Sequence, residues 1–407
     1  MTNNNIKIYS PFQGNRLSFV LNFCFGTVYD ATWQFVENPS DADVNLGSEA
    51  HFLSPSIFSS DKIDVELDCE FTKEGLRFQN ERSIDKLASI FYCLARIEEY
   101  GNDDIDSHQR YQAKYSVFYD ELQTPWVDVW CKQFVDIIGL NLNFKQEPKY
   151  SFSFDLDFGF KHLGKGFWRS IGGLTKCLLK LKIGEIKKRL NSFATNTDPF
   201  DKVYKFISAN YPESPCFVLT APRSKYDRGL ALNQNHFARL KEKLPKNPIG
   251  LHPSYYAHDA AYAVGAEKFF LQQVFGEINQ LRFHFLRFHW PQAQKAILSE
   301  GFLHDYSMGF ANAIGFRAQT AHSFNYYNLD KDEVSNLCIH PFAFMDASLS
   351  IYENLSEEEA LSAIKNMWEK VKQTGGNLMC LWHDHTMVEG TDTRKLFDNV
   401  NQMFLKN

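Results

Sequence analysis

Asp155 and Asp157 stand two apart at the end of the stretch SFSFDLDFGF, residues 151–160, after alternating polar and aromatic residues. Side chains two apart on a strand share one face, so the pair aims two carboxylates at one point. Such a pair suits a metal ligand beside a general base, since hard divalent cations and Zn²⁺ both accept carboxylate oxygen. As plain structure it would cap a strand-to-helix turn. GLHPSYYAHD puts His252 at the end of another short apolar run, with His258 six residues on. RFHFLRFHWP carries Arg287, whose guanidinium can hold a carboxylate by a bidentate fork, flanked by His284 and His289. FLHDYSMGF offers His304 and Asp305, and LWHDHT offers His383, Asp384 and His385. Histidine is the usual acid near neutral pH, and a carboxylate partner raises its pKa and fixes its tautomer.

The elements that must position these groups form a rhythm from about residue 150 onward. Short β-type runs alternate with helix-like stretches: SFSFDLD, CFVLTA (216–221), PIGLHPS (248–254), FHFLRFHWP (283–291), FLHDYS (302–307), GFRAQT (315–320), LCIHPF (337–342) and LMCLWHDH (378–385). Alternation of this kind predicts a parallel sheet or barrel. Sites in such barrels lie at the C-terminal ends of the strands, and nearly every run here ends in Asp, His, Arg or Ser. Residues 1 to about 147 have another character. Strand-like IKIYS and GTVYDATW precede a helical pattern in SIDKLASIFYCLARIEEY, and TPWVDVWCKQFVDIIGL predicts a helix with Pro125 near its start. The expected organisation is a small α/β domain over 1–147 and a barrel over 148–407, joined by the polar stretch NFKQEPKYS.

Composition narrows the partners. The 407 residues carry a net charge of −6, against the clustered cationic surplus that nucleic acid requires. No stretch has the length of a membrane span or the pattern of a secretory leader. Eight scattered cysteines without a C-x-x-C pair fit the reduced thiols of a cytosolic protein. Residues 168–190 hold seven Lys or Arg against one Glu, with Leu179, Ile183, Ile186 and Leu190 on one stripe. The plain expectation is an amphipathic helix covering the barrel; the sharper one is peripheral contact with an anionic lipid surface or acidic glycan.

The order F-D-x-D, G-x-H-P-S, an Arg-containing strand, D-Y-S and L-x-H resembles the polysaccharide deacetylase (NodB-homology) family over roughly residues 148–407. GLHPSYYA, DYSMGFANAIGFRA, LWHDH, ARIEEY and DSHQRY resemble a divergent bacterial branch with an extra N-terminal domain. The resemblance implies a distorted (β/α)7 barrel and a hydrolase that removes acetyl groups from a carbohydrate or sugar-linked precursor with a divalent metal, Zn²⁺ foremost. Carried onto this chain, it implies Asp155 as the base that activates water, with Arg287 orienting it. Asp157 and His252 would hold the metal, and His383 would be the acid, tuned by Asp305. The chain departs from the family pattern where Leu156 separates the aspartates and where Tyr256 stands at the position of a second His. His258 is then the expected third ligand, with Tyr256 and His289 lining the substrate. The alternative is an inactive barrel that binds glycan or a partner in surface-polysaccharide biosynthesis.

Overall fold

The computed structural model describes residues 5–406 except 48–52, 61, 65, 66, 80, 82, 102–104, 167–170, 173, 174, 176, 180 and 182. The N-terminal third builds on a parallel three-stranded sheet of β1 (Asn5–Tyr9), β2 (Thr32–Phe35) and β3 (Val44–Asn45), in the order β2-β1-β3. A hairpin of β4 (Cys69–Thr72) and β5 (Gly75–Phe78) follows. The two expected helices are present. Lys86–Ala95 starts where the Asp85 carboxylate caps the amides of Leu87 and Ala88, and it stops at Arg96, whose φ is 56°. Trp126–Ile137 begins directly after Pro125. The expected strand GTVYDATW is broken up: a π-helical turn through Asn22–Val28 takes its first three residues, and only Thr32 and Trp33 of the run join β2. Phe23, Cys24, Phe25 and Val28 are all buried in that turn, so packing, not β-propensity, decides its conformation.

The larger part is a curled sheet of nine strands: β6 (Lys149–Leu156), β7 (Cys216–Leu219), β8 (Ile249–His252), β9 (Gln280–Leu281), β10 (His304–Asp305), β11 (Phe324–Asn328), β12 (Glu333–Ile339), β13 (Phe344–Met345) and β14 (Asn377–His383). Their order is β11-β12-β10-β9-β8-β7-β6-β14-β13. All neighbours run parallel except the β11–β12 hairpin. The class is therefore α/β as expected, but no ladder joins β13 to β11 among the described residues, so the sheet stays open. Two expected strands are absent. FHFLRFHWP lies beyond β9 and forms a tight 3₁₀ turn, with φ of 60° at Phe285 and 52° at Leu286. GFRAQT is irregular, because Arg317 leaves the sheet to meet Glu99. The basic stretch 168–190 lies partly outside the described residues; within the rest, Ile183–Thr195 is helical. No described helix is long and apolar enough to cross a membrane. All eight cysteines are free thiols.

One continuous core runs through both parts of the chain, from Ile8 and Phe91 to Phe154 and Trp382. Polar contacts reinforce it: the Val127 amide donates to the Gln319 carbonyl at 2.8 Å, and the Trp290 indole donates to the Ala95 carbonyl at 3.1 Å. The strongest tie is the buried Glu99 carboxylate, which accepts from Arg96 at 2.6 Å and Arg317 at 2.5 Å. Burial opposes the charge on Glu99, but Arg317 and Arg96 outweigh it and hold the carboxyl at about 2. Replacing one member of a buried ion cluster strands the others. Glu99→Gln is therefore expected to lower unfolding free energy by roughly 3–5 kcal/mol near neutral pH. A depressed carboxyl pKa stabilises above its unfolded value, and the gain disappears as pH falls through the folded value. Wild type should thus lose its advantage between 4.5 and about 2. Urea unfolding at about pH 6 and about pH 3 would read this as a gap that narrows in acid; a constant gap would contradict it.

Candidate active site

The C-terminal ends of β6, β8, β9 and β14 meet at one point. β14 sets His383 beside Asp155 in register, and β7 sets Leu219 beside His252. Asp155 is the penultimate residue of β6, and Asp157 directly follows the strand. His252 Nε2 lies between the two carboxylates, 3.7 Å from Asp155 Oδ2 and 3.3 Å from Asp157 Oδ1. His284 Nε2 lies 3.7 Å from Asp157 Oδ1, and His383 Nε2 lies 4.0 Å from Asp157 Oδ2.

Each histidine is oriented from behind. Nδ1 of His252 is 2.6 Å from the Arg282 carbonyl, Nδ1 of His284 is 3.0 Å from Asp227 Oδ1, and Nδ1 of His383 is 2.6 Å from Asp346 Oδ1. All three partners are acceptors, so Nδ1 carries the proton, and in the neutral ring Nε2 presents a lone pair. Asp227 is fixed in turn by the Tyr255 amide and the Ser224 hydroxyl, and Asp346 by the His383 amide and Thr386. Imidazoles supported by carboxylates or carbonyls are the usual surroundings of metal-ligating histidine.

The donor set fits a divalent cation. Ligating atoms of Asp157, His252 and His284 all lie within 4.8 Å of one another. Asp157 Oδ1 and His252 Nε2 are buried without a hydrogen-bond partner, an arrangement that native structures rarely leave unexplained. Burial opposes the charge on Asp157, yet His284, His252 and His383 hold its carboxyl far below the usual range. A carboxylate with two imidazoles suits Zn²⁺ with an open coordination position. His304, Cys338 and His340 also bring ligating atoms within 4.8 Å. There the imidazoles already satisfy each other, with His304 Nδ1 3.0 Å from His340 Nε2.

Two groups flank the donor set. Asp155 Oδ1 accepts from Arg282 Nη1 at 2.8 Å, while the other guanidinium nitrogens bond the Ser153 hydroxyl and the Tyr306 carbonyl. Arg282 is fully buried against the Phe217 ring. Opposite, burial disfavours protonation of His383, but Asp346 overrides it and pushes the pKa up to about 10. The imidazole is therefore charged at neutral pH and carries a proton to give.

Several expected placements are corrected. The arginine against Asp155 is Arg282, not Arg287. Arg287 turns to the N-terminal segment, bonding the His108 and Tyr255 carbonyls, Gln109 and His258. His258 is held by Gln109 and Arg287 and stands outside the cluster around Asp157. The imidazole that joins His252 there is His284. Tyr256 is 56% exposed and does not replace a ligand. His289 stacks on His258 at 5.9 Å, away from the carboxylates. Asp305 accepts from Ser307 and Gln294 and does not touch His383, whose partner is Asp346. Asp384 of the HDH stretch is structural: its buried carboxylate accepts from the Phe158 and Gly159 amides and the Tyr204 hydroxyl, and so holds the loop after Asp157. The largest cleft described, about 1130 Å³, opens at the other end of the sheet against Lys149 and Asn377.

Comparison with known proteins adds little to this geometry. Residues 6–142 match a family described as a family of unknown function, DUF7033. A search of curated proteins finds no match. Among solved structures, the chain is similar to one described as a "putative polysaccharide deacetylase from Mycobacterium smegmatis". The identity is 12%, the TM-score 0.40, and the match covers 64% of this chain and 86% of that one.

Proposed function

We propose that the protein is a metal-assisted hydrolase that removes acetyl groups from a carbohydrate or sugar-linked precursor. The observation that carries the hydrolase reading is the unpartnered, buried Asp157 and His252 atoms, set with His284 between a base and an acid. The order of motifs that resembles polysaccharide deacetylases supports the acetyl group and the sugar. Asp157, His252 and His284 would hold the cation. The chemistry a divalent cation would supply there is Lewis-acid polarisation of the scissile carbonyl and a lowered pKa for the attacking water. Asp155, aimed by Arg282, takes a proton from that water as its oxygen bonds to the acetyl carbon. His383 gives its Nε2 proton to the departing nitrogen or oxygen as the bond to the acetyl carbon breaks, and acetate and the free amine or alcohol leave. Asp346 keeps His383 oriented and charged for this step.

The test is acetate release from acetylated oligosaccharides by protein reconstituted with Zn²⁺ or Co²⁺. Release is expected from at least one N- or O-acetylated sugar and should disappear in Asp155→Asn. Metal-loaded protein that releases no acetate from any acetylated glycan would remove the deacetylase reading.

A further inference from the structure

We propose that the acetylated sugar is anionic, and that a cationic cleft adjoining the active site binds its phosphate or carboxylate. The inference rests on the hydrolase reading for the reacting sugar but adds what recognises it. The cleft encloses about 910 Å³ and is lined by Lys161, Arg189, Arg223, Lys225, Arg228 and His385, with no Asp or Glu among its described lining residues. It is continuous with the site: the His385 ring lies 5.1 Å from Phe158, which follows Asp157, and 5.5 Å from the His383 ring.

Isolated surface lysines and arginines are ordinarily only solvated. Here the chain as a whole has more acidic than basic residues, 49 against 43, yet one cleft gathers a single sign. Lys161 approaches Glu185 at 3.8 Å, while Arg189, Arg223, Lys225 and Arg228 form no ion pair with a described residue. The acid nearest in sequence is turned away: Asp227 is 1% exposed and spends its oxygens on His284, Tyr255 and Ser224. The walls are also held together. Lys165 Nζ donates to the carbonyls of Phe158 and Arg228, so it ties the loop after β6 to the loop after β7. A cleft lined by one sign of charge focuses its field and concentrates counter-ions, and arginine forks match phosphate and carboxylate geometry. A neutral glycan would leave Arg189, Arg223, Lys225 and Arg228 without an anionic partner among the described residues.

Calorimetric titration of the metal-loaded protein with three related sugars tests this: N-acetylglucosamine, N-acetylglucosamine 1-phosphate and N-acetylmuramic acid. At least one anionic sugar is expected to bind tenfold or more tightly than the neutral one, with the advantage shrinking between about 0.05 and 0.5 M salt. Preference for the phosphate or for the carboxylate identifies the source of the charge. Arg223→Glu/Arg228→Glu should erase the difference while metal content and melting temperature stay at wild-type values. Lys161→Ala/Lys225→Ala, a milder change, should reduce it. Equal binding of all three sugars, no binding of either anionic sugar, or full retention in both variants would overturn the inference. Because affinity and acetate release are measured separately, selective binding with no acetate release would keep this inference and remove only the deacetylase reading.

Discussion

Replacing His284 with Ala is expected to strip the protein of its divalent metal, whereas His258→Ala and Tyr256→Phe should leave metal content at the wild-type level. Nε2 of His284 faces Asp157 at 3.7 Å, while the His258 ring is engaged by Arg287 and Gln109, and Tyr256 points to solvent. Losing one of three protein ligands should cost more than losing a group behind a ligand, and the latter typically costs about 10–100-fold in metal affinity. Asp227→Asn removes only the carboxylate that orients His284, so its affinity should fall by about that smaller factor. Elemental analysis of purified protein and competition with a chromophoric chelator would rank the variants. A His258→Ala protein that loses metal while His284→Ala keeps it would reverse the assignment.

Asp155→Asn and His383→Ala should each lower kcat by about 10²–10⁴-fold, the usual worth of a positioned base or acid. The neighbouring arginines provide the sharper contrast. Arg282→Lys keeps the charge but cannot bond Asp155, Ser153 and Tyr306 together, as the guanidinium does. It should reduce kcat with little change in KM. Arg287→Lys should leave kcat within a few-fold, because its partners belong to the N-terminal segment and the loop after β8. Arg282→Met leaves Asp155 buried and unpaired, a loss of roughly 3–5 kcal/mol that urea unfolding would detect. Acetate-release kinetics on any substrate found separates these outcomes. Full activity in Arg282→Lys, or collapse in Arg287→Lys alone, would mean that the wrong arginine has been assigned to the base.

The two arginines also show where reading the chain by itself stops. Residues 281–284 and 286–289 are both Leu-Arg-Phe-His. Local composition cannot rank the two copies, and the second passes equally well for a strand. The register decides: β9 ends at Leu281 beside Leu251 of β8, so Arg282 and His284 fall at the mouth of the sheet. The turn through Phe285 and Leu286 then carries the second copy to the N-terminal segment.

What the sequence determined by itself follows from short-range rules. Period-two alternation made Asp155 and Asp157 share a side, the apolar runs ending in polar groups marked β6, β8, β10 and β14, and helical spacing marked Lys86–Ala95 and Trp126–Ile137. His252 and His383 were legible for the same reason, since each closes a run long enough to read as a strand. Tertiary structure alone decided the rest. Asp346 follows a strand of two residues and Asp227 sits in a loop, so neither leaves a periodic trace. The open sheet and its hairpin edge depend on pairing across distant segments. Nothing local makes Arg317 leave the sheet pattern; Glu99, 218 residues away in the chain, draws it out. A side chain's neighbours along the chain set its face and spacing, but its electrostatic partners come from whichever segments the common core brings together.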